Sequence, residues 1–138
     1  MLNPYTDNNI AGFSMLFLRF FVGILLMTHG YPKLMRLFSG EEIMFTSVMG
    51  MTPMMSMALA MSAEFIGAIL IILGFLTRFA AIPIIITMLV VVFYVDKGLP
   101  FVKSELAIMY LISYTYIFLN GAGKHSVDNL IHQKLFNK

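Results

Sequence analysis

Cysteine is absent from all 138 residues. That removes disulfides, dithiol relays, thiolate zinc sites and iron–sulfur ligation together, so no sulfur nucleophile carries this protein's chemistry. Charge is scarce too: 12% of residues are charged against 59% hydrophobic, and mean hydropathy is +0.87. A soluble core inside a polar shell does not have that balance, whereas a membrane protein does. Nine basic and seven acidic residues leave a net charge of +2, and they are spread along connecting segments, which argues against a nucleic-acid surface and for lipid headgroups as counterpart. Of three histidines only His29 lies in an apolar run, so a haem held between two helices lacks its second ligand. No metal site is read, and no repeat, low-complexity stretch or second domain interrupts a single membrane domain over 1–138.

Four apolar runs are present. A helix needs about 20 residues to cross the hydrocarbon, with ~17 as the floor, and the runs predict spans near 13–31, 54–76, 79–95 and 102–120. The expected fold is all-α, an antiparallel bundle of four transmembrane helices. A polar lead-in with Asn3, Pro4, Asp7, Asn8 and Asn9 precedes the first run. With no positive n-region, and Arg19 interrupting it, that run does not read as a cleaved leader. Pro32 is expected to end the first span, because it lacks the amide that would continue the ladder. Ser39 and Glu42 have capping-box spacing ahead of Ile43, Met44 and Phe45, predicting a short interfacial helix between spans one and two. Pro83 falls near the start of the third span, where a missing amide costs little. The hairpin at Thr77 and Arg78 is tight, which makes spans two and three antiparallel neighbours. Ser126–Phe136 reads as an amphipathic tail capped by Ser126.

Charge inside these runs is the main functional signal. A charge at the bilayer centre costs ~3 kcal/mol or more, so it faces a protein interior, a wet cavity or the headgroups. Counting from the predicted span ends at 1.5 Å per residue, Arg19 and Glu64 differ in depth by only about 6 Å, which predicts a buried Arg19–Glu64 ion pair. A pair of this kind also serves simply to fix register between helices. His29, Lys33, Tyr94, Asp96, Glu105 and Tyr110 fall at one level and form a candidate polar pocket. Titratable groups beside phenols suit a quinone headgroup, donating to its carbonyl oxygens and exchanging protons. The blander roles are a hydrogen-bonded structural histidine and lysines at Lys33, Lys97 and Lys103 that anchor at the interface; Arg78 is read as an interface anchor reaching phosphate. Methionines crowd residues 49–61, where copper(I) ligation competes with adaptable apolar packing, and thirteen methionines along the whole chain favour packing.

The run Leu18-Arg19-Phe20-Phe21-Val22-Gly23, then His29-Gly30 with Lys33, then Glu64-Phe65-Ile66-Gly67, Leu73-Gly74-Phe75-Leu76-Thr77-Arg78, Glu105-Leu106-Ala107 and Gly121-Ala122-Gly123-Lys124-His125-Ser126-Val127-Asp128 together resemble the DoxX family. The resemblance implies a small four-helix protein of the bacterial inner membrane with both termini cytoplasmic. Charge alone leaves that orientation tied, with four basic residues on each side. It also implies redox work at the membrane, since some members are subunits of thiosulfate:quinone oxidoreductase and others stand beside thiol or oxidative-stress enzymes. Without cysteine or a soluble domain, this chain is not expected to oxidise sulfur by itself. The leading expectation is a membrane subunit or partner of an oxidoreductase with a quinone pocket. The alternatives are a non-catalytic scaffold for a partner protein or lipid and, third, a small-molecule carrier, a role weakened by the lack of a broken helix or inverted repeat. A homo-oligomer is compatible with each.

Overall fold

In hydrocarbon every backbone N–H and C=O must be satisfied within its own segment, which leaves these apolar runs the helix as their solution. The computed structural model describes residues 8–136, leaving Asn3, Pro4 and Asp7 of the predicted lead-in outside the described residues. The first span is the helix Asn8–Phe38. The second is Pro53–Leu73, the third Thr77–Val95 and the fourth Phe101–Asn120, each long and apolar enough to cross a membrane. A tail helix, Val127–Phe136, follows. Span one packs on span two, two on three and three on four, and a thinner contact between four and one closes the ring. Ala68, Ile71, Ala81, Ile84, Tyr114 and Ile117 fill the middle. Their small members let the backbones approach, while Phe13, Phe17, Phe79, Ile112 and Leu119 stay exposed on the outside, where lipid would meet them.

Three local expectations are corrected. The first helix does not end at Pro32 but runs through it to Phe38; a proline removes one amide, which a long apolar helix with packed neighbours tolerates. The third span likewise holds Pro83 well inside it, where the proline carbonyl accepts from Thr87 Oγ1 at 2.8 Å. The predicted interfacial helix does not form, and residues 39–52 are irregular. Ser39 closes the first helix instead of opening another, since its hydroxyl donates to Arg36 O at 2.9 Å and accepts from Glu41 N at 3.3 Å. The cap of the second span is Thr52, whose Oγ1 accepts from Met55 N at 3.2 Å, with Pro53 as the first helical residue. Between them Val48 is buried, its N–H donating to Ser56 Oγ at 3.1 Å.

The two middle spans are joined by only Gly74, Phe75 and Leu76. Gly74 takes the left-handed conformation and closes the second span. Leu76 is left-handed as well, at φ 47°, a conformation that a γ-branched residue keeps only when its surroundings enforce it. Asp128 enforces it: one carboxylate oxygen accepts from Leu76 N at 2.8 Å and the other from Thr77 N at 3.1 Å. The Asp128 N–H in turn donates to Gly74 O at 2.9 Å. Ser126 caps the tail helix, as expected, accepting from Asn129 N at 3.1 Å. Its Leu130, Ile131 and Leu135 face away from the bundle, which suits a helix resting in the membrane surface.

Replacing Asp128 removes a cap supplied from another element. Asp128→Ala is expected to lower stability by about 1–2 kcal/mol, read from thermal unfolding in detergent, with Asp128→Asn in between; an unchanged midpoint for the alanine variant rules out a stabilising role for the cap.

Candidate functional site

The second span widens at Ser62–Gly67 into a π-helical turn. Such turns admit one extra residue and recur at functional sites. Ser62 Oγ donates to Ala58 O at 2.8 Å beside the distortion, and Glu64, within it, is buried. Gly30 of the first helix lies against this turn: a Cβ there would stand 2.8 Å from Phe65 N and 2.9 Å from the Glu64 carbonyl carbon. Only glycine lets the two backbones meet at that distance.

Glu64 pairs with Lys33, not with Arg19: Lys33 Nζ donates to Glu64 Oε2, with side-chain exposures of 23% and 5%. The Arg19–Glu64 pair predicted from the sequence is therefore replaced. Arg19 is fully buried and donates from Nη1 to Ala122 O and from Nη2 to His125 O, the latter at 2.6 Å. Its guanidinium lies against Gly74, ten residues beyond Glu64, so the two levels differ by about 15 Å of helix. The depth count failed because it set Phe13, the first apolar residue, at the membrane boundary, whereas the helix begins at Asn8 and Arg19 lies level with Gly74 at the hairpin end; further along the same helix it is Lys33 that comes within reach of Glu64.

Around the Lys33–Glu64 pair lies a cavity of about 220 Å³ lined also by His29, Asp96, Lys103 and Tyr110, with Leu26, Met88 and Ala107 as its apolar walls. The His29 and Tyr110 rings meet edge to face at 5.9 Å. Tyr114 stands behind Tyr110 at 6.3 Å, and its hydroxyl donates to Val22 O at 3.2 Å. Asp96 Oδ2 is buried without a hydrogen-bond partner, an arrangement uncommon enough to need a reason. On the other side of the same ion pair, a second cavity of about 230 Å³ is apolar, with Phe45, Val48, Met49 and Met51 from the irregular segment as one wall. Lys33, Glu64 and Val91 border both.

The structure thus brings together His29, Lys33, Asp96 and Tyr110 of the predicted pocket and leaves out Tyr94 and Glu105. Tyr94 is 47% exposed. Glu105 is exposed because five residues at about 100° each put it some 140° around the helix from Tyr110. Lys103, read as an anchor, lines the cavity instead; its spacing to Ala107 and Tyr110, four and seven residues, is the signal that placed it on that face. Among the described residues no cluster of three or more His, Asp or Glu could hold a metal ion. The methionines at 49–61 are divided between environments: Met57 is buried in the core, Met49 and Met51 wall the apolar cavity, and Met54 and Met55 are exposed.

The DoxX family model matches residues 14–97, more than half of the chain. The chain belongs to the DoxX family. It is also similar to an uncharacterised protein of Haemophilus influenzae, 30% identical over 125 residues that cover 86% of this chain and 90% of that one. No solved structure matches. The DoxX match contains Arg19, His29, Lys33, Glu64, Arg78 and Asp96, whereas Lys103 and Tyr110 lie beyond its end. In this DoxX protein the cavity is therefore completed by a fourth span outside the matched region.

Two outcomes test this geometry. Lys33→Met alone is expected to cost about 3 kcal/mol, near the lower end for breaking a buried pair because Lys33 keeps some exposure, and Lys33→Met with Glu64→Leu should recover most of it; additive losses in chemical unfolding argue against the pair. Gly30→Ala, with a methyl forced onto backbone, is expected to lose about 1–3 kcal/mol, measured in the same way.

Proposed function

We propose that this DoxX protein is a subunit or partner of a bacterial inner-membrane oxidoreductase, with both termini cytoplasmic, and that its polar cavity binds a quinone-type ring. The observation that carries the reading is the buried, partnerless Asp96 oxygen in a cavity otherwise rich in donors. The Lys103 ammonium and the Tyr110 phenol can donate to carbonyl oxygens, and His29 can donate or accept. Asp96 Oδ2 offers the complementary acceptor for a ligand hydroxyl. A ring whose oxygens alternate between carbonyl and hydroxyl matches such a mixed set, whereas a purely apolar guest leaves Asp96 unanswered. At about 220 Å³ the cavity has room for one ring and little else. A bound quinone would supply the redox chemistry; the residues of this chain hold and orient it. Lys33 and Glu64 offset each other's charge at the wall, so neither has to be neutralised by the ligand.

The alternative, a scaffold that binds lipid or a partner protein, draws on the exposed apolar side of the tail helix. The two readings separate by extraction. Purified protein is expected to retain quinone, with Asp96→Ala and Tyr110→Phe each lowering retention about tenfold, the size of one charged or well-placed hydrogen bond. Glu105→Gln, outside the cavity, should change nothing. Equal retention in all four proteins, or none in any, sets the quinone reading aside in favour of the scaffold.

A further inference from the structure

A second polar hollow lies at the opposite end of the bundle, and we infer that it is a binding site for a phosphate group, carried by a membrane phospholipid or by a soluble phosphate ester. The hollow encloses about 440 Å³ where the third span begins and the fourth ends, which is headgroup depth for a helix crossing the bilayer. Its cation is Arg78. The guanidinium lies over Gly121, where a Cβ would stand 3.4 Å from Nε and 3.6 Å from Nη2. Arg78 Nη2 donates to Leu119 O at 3.4 Å, a long bond that occupies one of five N–H donors and leaves the planar fork for a bidentate partner.

Two further observations point to a ligand here. Thr77, which lines the hollow, is 1% exposed, and its hydroxyl oxygen is buried with no hydrogen-bond partner. The carboxylate that borders the hollow, Asp128, is already engaged by the N–H groups of Leu76 and Thr77 and is attracted to the buried Arg19. Its charge is met from inside the protein, so Arg78 presents a largely uncompensated positive charge outward. Asn120 and His132 complete a polar rim, while Phe79, 73% exposed, stands beside it on the lipid-facing side. A group with an anionic phosphate and apolar chains would find both halves of its chemistry here. The inference does not rest on the quinone reading, since it uses no residue of that cavity.

The test is native mass spectrometry of the full chain in detergent, with helix content checked by circular dichroism. Phosphatidylglycerol, diacylglycerol, which lacks the phosphate, and glycerol 3-phosphate are the probes. The wild type is expected to retain phosphatidylglycerol over diacylglycerol, with occupancy about tenfold lower in Arg78→Gln and intermediate in Arg78→Lys, which keeps the charge and loses the fork. Arg36→Gln, in the last turn of the first helix and outside the hollow, should match the wild type. Retention of the lipid with no effect of glycerol 3-phosphate identifies a headgroup; Arg78-dependent binding of glycerol 3-phosphate identifies a soluble ester, and both support the site. Wild-type occupancy in Arg78→Gln, or an equal loss in Arg36→Gln, overturns it. Should Arg78→Gln fail to fold, Arg78→Lys decides, and full occupancy there overturns the site.

Discussion

The bundle depends on how it disposes of one buried guanidinium. Arg19 has no exposed surface, and in hydrocarbon that burial is very costly without hydrogen bonds. It finds them not on a neighbouring carboxylate but on the carbonyls of Ala122 and His125, in the loop that follows the fourth span. A single side chain therefore fastens the first span to the chain's far end. Asp128, three residues beyond His125, holds the left-handed Leu76 and the start of the third span. Arg19 and Asp128 join all four spans and the tail helix at one end of the molecule.

Fixing that end frees the other. Since Arg19 is answered by carbonyls, Glu64 is left to Lys33, and the pair sits between a polar and an apolar cavity, not within a sealed core. The π-helical turn at Ser62–Gly67 and the glycine at position 30 bring about this arrangement: the turn accommodates Glu64 among the buried residues, and the missing side chain of Gly30 lets the first helix close onto it. A second π-helical turn, at Val91–Val95, precedes Asp96 at the same cavity. The π-helical turns in both helices fall beside residues that line the polar cavity.

Much of this was legible in the residues. Hydropathy marked the four spans, the shortness of the connection set spans two and three side by side, and Ser126 announced the tail helix. The turn itself falls at residues 74–76, and Thr77 and Arg78 are already helical. His29, Lys33, Asp96 and Tyr110 stood out as polar groups at one level of an apolar chain. Less legible were the segment at 39–52, where a capping-box pattern was used to close one helix, and the first helix's passage through Pro32. Local patterns record which conformations a segment can adopt; the surroundings select among them.

By itself the sequence determined that this is a four-span membrane helix bundle without thiol chemistry, because span length, apolarity and the absence of cysteine are properties of the chain alone. Only the tertiary structure decided which charge meets which. Pairing depends on the vertical offset between helices, and that offset is set by where each helix ends and how closely backbones pack. Neither is a property of any one segment, so Lys33 met Glu64 and Arg19 met the carbonyls.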